Sequence, residues 1–145
     1  MFKKIKLIFS IFLFINFFNL LSAEENFFDE AKNKFNEKKL EDSKFLFQRN
    51  IVFNPKDAKS YMYLAKIYNL EENEVEEEKY LNTTLLLESE NEEAMYMLIN
   101  MHLKKTNYSK IKELMENFTI ICSNLCDKTE IINETLKNIE PKNES

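Results

Sequence analysis

The chain of 145 residues contains no glycine, and that absence removes more functional classes than any motif present. Phosphate-cradling glycine loops and dinucleotide fingerprints need backbone that approaches a ligand without a Cβ, and tight hairpin turns need positive φ without steric cost. The calcium loop of helix–loop–helix proteins needs glycine at its sharp turn as well. Proline is confined to Pro55 and Pro141 and valine is scarce, whereas Leu, Glu, Lys and Met are frequent. Straight-chain residues lose little rotamer freedom in a helix, so the expected fold class is all-α. Histidine occurs only as His102, without a second imidazole for a zinc site, and it reads as a packed structural residue. No nucleophile, base and orienting group can be assembled, so neither catalysis nor a cofactor or metal is expected.

With 44% hydrophobic residues the chain has enough apolar material for one packed domain. Lys3, Lys4 and Lys6 precede an uncharged run from Leu7 to Leu21, which closes on Leu21-Ser22-Ala23. That order reads as a signal peptide over residues 1–23, with export to a periplasmic or extracellular compartment. The run is 15 residues long, shorter than the roughly 20 that span a bilayer. The alternative is an uncleaved anchor formed by residues 7–21, and only then does the membrane become a partner. Removal of the segment takes away three lysines and no acid, moving the formal net charge from −5 to −8. An acidic domain repels a polyanion at long range, so no nucleic-acid partner is expected.

The stretch from Asn54 to Tyr68 sets the organisation of the rest. Pro55 disfavours helix at Asn54, Asp57 suits the N-cap of a new helix, and Tyr61, Leu64, Ala65 and Tyr68 then recur at helical spacing. Similar patterns lie 34 residues to either side. Upstream, Phe27, Phe28, Ala31 and Phe35 are followed by a polar break and by Leu40, Ser43, Phe47, Asn50 and Ile51. Downstream come Met95, Leu98, Ile99 and His102, then Tyr108, Ile111, Met115 and Phe118. Between them Val75, Leu81, Leu85 and Leu87 make an apolar stripe behind six carboxylates, Glu71, Glu72, Glu74, Glu76, Glu77 and Glu78, which read as a solvated acidic helix start.

This pattern resembles the tetratricopeptide repeat family, whose period it shares. Ala31 and Ala65 stand where the family places a small residue at the approach of two helices, Ser43 stands at its second small site, and Pro55 matches its proline. The resemblance implies an α-solenoid of about three antiparallel helix pairs, over about 24–57, 58–91 and 92–125. A capping helix over about 128–140 carries Ile132, Leu136 and Ile139 on one face, and residues 141–145 form a polar tail. The chain departs from the family at Glu74 and Glu77, where an aromatic residue and Ala are usual, and at Ile99. The last replacement predicts a wider or shifted third pair.

In that family the first helices of successive repeats line a concave groove that takes an extended peptide or a partner helix. Projected here, the candidate groove residues are Phe28, Lys32 and Phe35, then Met62, Lys66 and Asn69, then Tyr96, Asn100 and Leu103. Lys32, Lys66 and Asn100 are repeat equivalents that would bind the backbone or acidic groups of a peptide, with Phe28, Met62 and Tyr96 as apolar contacts. The competing reading is an ordinary solvated helix face. Cys122 and Cys126 are a candidate disulfide, with free thiols or a redox or metal role as the alternatives. The functional expectation is an exported, non-enzymatic scaffold or adaptor for a protein or peptide, with a self-associating homo-oligomeric module or a membrane-anchored accessory subunit without catalytic activity as the other readings.

Overall fold

The computed structural model describes residues 27–139, and the expected signal peptide and polar tail lie outside them. Seven helices follow one another: α1 (Phe27–Asn36), α2 (Leu40–Phe53), α3 (Ala58–Leu70), α4 (Glu74–Leu87), α5 (Glu92–Lys104), α6 (Tyr108–Ile121) and α7 (Lys128–Ile139). The fold is all-α, each helix packs on its neighbours in sequence, and the arrangement is that of a helical repeat. Leu40, Glu74 and Tyr108 open α2, α4 and α6 at 34-residue intervals, and Phe53, Leu87 and Ile121 close them at the same interval. Among the described residues no helix is long and apolar enough to cross a membrane.

The turn inside each pair shows how the chain manages without glycine. Lys38, Glu72 and Thr106, equivalent positions, adopt the left-handed conformation with φ of 60°, 56° and 52°. A side chain in that region costs roughly 1–2 kcal/mol. The cost is offset by closing bonds: the N–H groups of Lys39, Asn73 and Asn107 donate to the carbonyls of Lys34, Tyr68 and His102 at 2.9, 2.9 and 3.0 Å. These are the wrapping bonds that satisfy otherwise orphaned carbonyls at a helix C-terminus. Asn73 and Asn107 then start the next helix, their side-chain oxygens accepting from the N–H groups of Glu76 and Lys110.

Asp57 occupies the N-cap of α3, but its carboxylate does not cap the helix. It accepts from Asn50 Nδ2 and from Ser60 Oγ, each at 2.7 Å. Because Asn50 and Ser60 are buried, their polar groups need those partners more than the exposed helix start does. The expected capping role is corrected accordingly.

One apolar core runs through all seven helices. In the first pair Ala31 is fully buried and Ser43 Oγ donates to its carbonyl at 2.9 Å, which only a close helix approach allows. Phe47 stacks on Tyr63 at 4.9 Å, while Phe28 and Phe35 meet Tyr63 edge-on at 5.7 and 5.2 Å, joining the first pair to the second. Such aromatic pairs contribute about 0.5–1.5 kcal/mol beyond their buried area. The third pair is filled instead by Met95, Leu98, Ile99, Ile111, Met115 and Phe118. Val75, expected in the apolar stripe of α4, is 76% exposed, since the inward face there is that of Glu77, Leu81 and Thr84. Ile132 of α7 is buried against the end of the array, and Leu136 packs beside it.

The connection from α6 to α7 is closed twice. Cys122 and Cys126 have their sulfurs at disulfide distance, with Cα atoms 5.2 Å apart. The three residues between them present backbone N–H groups to Glu92 Oε2, Ser123 at 2.7 Å, Asn124 at 3.0 Å and Leu125 at 3.2 Å. The Ser123 N–H, the Asn124 side chain, whose Nδ2 donates to Glu92 Oε1 at 2.7 Å, and the other two N–H groups hold the Glu92 pKa at about 2, well below its ordinary value.

Candidate functional site

The C-terminal ends of α1, α3 and α5 meet the start of α4 around a cleft of about 730 Å³. That volume lies within the range of ligand sites. Five of the nine candidate groove residues line it, namely Phe35, Lys66, Asn69, Asn100 and Leu103. They converge because the repeat places the last turn of each first helix beside the next.

The other four stand elsewhere. Phe28 is half-buried in the aromatic cluster with Phe47 and Tyr63. Lys32 is exposed and does not line the cleft. Tyr96 is half-buried and stacks on Phe118 at 6.2 Å. Met62 is 5% exposed and belongs to the core, so the apolar contact expected from it is corrected to a packing role.

The electrostatics of the cleft differ from the basic row expected. Lys66 Nζ pairs with Glu93 Oε1 at 2.8 Å and lies 5.2 Å from the centre of the Tyr63 ring. Its charge is therefore already matched within the cleft. Glu74 belongs to a second ion pair, with Lys105 at 3.4 Å. Lys104 lines the cleft and has no ion pair among the described residues.

Glu77 is the residue the sequence reading missed. Placed there in a solvated acidic run, it is 4% exposed and lines the cleft. Asn69 Nδ2 donates to its Oε1 at 2.9 Å, and its other oxygen has no donor among the described residues. Burial pushes the Glu77 carboxyl up, against the opposing effects of the Asn69 hydrogen bond and the nearby Lys104. The helical phase was the available signal, because Glu77, Leu81 and Thr84 stand at i, i+4 and i+7 on one buried face. Met97 and Leu70 were missed as apolar lining as well.

A second feature lies on the second helices. Val52, Leu86 and Ile120 are repeat equivalents, and they are 76%, 84% and 80% exposed. His102 is buried as expected, with Nδ1 unpartnered and Nε2 3.8 Å from Glu78 Oε1. Burial holds its pKa below the usual imidazole value. Among the described residues no cluster of His, Cys, Asp or Glu has the arrangement of a metal site. Compared with known proteins, the chain matches no family model and no curated protein sequence.

Proposed function

We propose that the chain is an exported protein-interaction scaffold, similar to tetratricopeptide repeat proteins, that takes a peptide or partner helix in the cleft between its second and third helix pairs. The observation that carries this reading is the convergence of Phe35, Asn69 and Leu103, one repeat apart, with Lys66 and Asn100 on a single cleft. Asn69 and Asn100 offer carboxamides to a peptide backbone, and Leu70, Met97 and Leu103 offer apolar contact. Such a surface binds and orients, and the reading assigns it no catalytic step. Export rests on the pattern of residues 1–23, and a Cys122–Cys126 disulfide suits an oxidising compartment.

The exposed row of Val52, Leu86 and Ile120 favours a second reading, a module that packs on copies of itself. Panning a random peptide library on the purified chain separates the two. The scaffold reading expects peptides that are retained by the wild type, lost by Met97→Arg with Asn100→Arg, and unaffected by Leu86→Glu. No retained peptide, together with a concentration-dependent oligomer that Leu86→Glu dissolves, would replace it with the self-association reading.

A further inference from the structure

The equivalent crossing positions on the second helices carry Ser43, Glu77 and Ile111, and all three are buried. Ser43 satisfies its hydroxyl on the Ala31 carbonyl, and Ile111 has no polar atom to satisfy. Glu77 alone brings a carboxylate to this place and leaves one of its oxygens without a donor among the described residues. Among the described residues the only buried side-chain polar atom without a partner is His102 Nδ1, so the second Glu77 oxygen reaches the cleft surface, where a ligand's charged donor can meet it. The other charged groups of the cleft are largely committed: Lys66 to Glu93, and Glu74 to Lys105. Lys104 remains near enough to act on Glu77 through space, yet the two do not form an ion pair.

We infer that the cleft selects a peptide carrying an arginine or lysine side chain, whose cationic head is received by Glu77 while its aliphatic stem lies along Leu70, Met97 and Leu103. This deepens the scaffold reading and rests on it. The lining supplies both halves of such a site, since a long basic side chain needs an acceptor at the end of an apolar trough. Asn69 serves as a positioning residue, holding one carboxylate oxygen so that the other faces the incoming donor. The formal net charge of −5 also favours encounter with a basic segment over an acidic one. The basic row expected from Lys32, Lys66 and Asn100 would have selected the opposite charge.

The test uses the peptides retained in the panning experiment, with calorimetry on the full chain. Cleft-dependent peptides are expected to share an arginine or lysine. Replacing that arginine by citrulline, or that lysine by norleucine, should weaken binding about tenfold or more. Glu77→Gln keeps an oxygen to accept from Asn69 but removes the charge. It should lose the same factor for the basic peptide and nothing for its neutral analogue. The peptide-side replacement needs no change in the protein, so the inference stays testable even if the variant folds poorly. Cleft-dependent peptides that are acidic, or that tolerate loss of the basic residue, would overturn this inference and leave the scaffold reading standing. An absence of any cleft-dependent peptide would overturn both.

Discussion

The second and third helix pairs have the same helix bounds one repeat apart, and they differ in what fills the crossing between their helices. In the second pair the crossing holds Ala65 and Glu77, and in the third it holds Ile99 and Ile111. Ala65 leaves room for a close approach of α3 and α4, whereas the larger Ile99 fills the equivalent place between α5 and α6 and is fully buried there. The lesson is that one backbone register serves two chemistries. The second pair pays in desolvation for a carboxylate aimed into a cleft, and the third uses the same place purely for packing. A further contrast lies at the first residue of each first helix, where Ala58 is simply buried and its equivalent Glu92 grips the backbone after α6.

The largest expected effect comes from exchanging the sizes at the crossing. Ile99→Ala leaves a cavity in a fully buried site and should lower stability by about 2–5 kcal/mol. Ala65→Phe overpacks the closer pair and should cost roughly 1–3 kcal/mol. Chemical denaturation of both variants checks the order. If Ile99→Ala proves neutral, the third pair has collapsed to the spacing of the second and the contrast disappears.

The Glu92 grip gives a smaller effect with a definite pH window. Its folded pKa of about 2 lies below the ordinary 4.5, so its contribution is complete above that ordinary value and is lost as pH falls toward 2. Glu92→Gln should melt below the wild type at neutral pH, and the two melting temperatures should converge near pH 2. Circular dichroism melts across that range are sufficient. A gap that stays constant with pH would assign the effect to shape instead of charge.

Much of the fold was legible in the sequence because it depends on periodicity. The apolar spacing of Tyr61, Leu64, Ala65 and Tyr68, repeated on both sides, implies paired helices; Ala31 and Ala65 are fully buried, and the Ser43 hydrogen bond to the Ala31 carbonyl marks a close approach in the first pair. The left-handed turns at Lys38, Glu72 and Thr106 were not legible, since no glycine marks them and backbone hydrogen bonds sustain them instead. The cleft was half legible: Lys66, Asn69 and Asn100 follow from the repeat, but the pairing of Lys66 with Glu93 joins different helices and is a tertiary fact. Glu77 was hidden by its neighbours, because a run of glutamates reads as solvent-facing when counted by composition. Helical phase, not composition, turns this one member inward.

The most direct test of the account is an amide spectrum of the isotopically labelled chain, titrated with a basic peptide recovered by panning. The account predicts that the largest shifts fall on Asn69, Glu77, Met97, Asn100 and Leu103, with Val52, Leu86 and Ile120 unmoved. Shifts concentrated along Val52, Leu86 and Ile120, with the cleft residues silent, would contradict it.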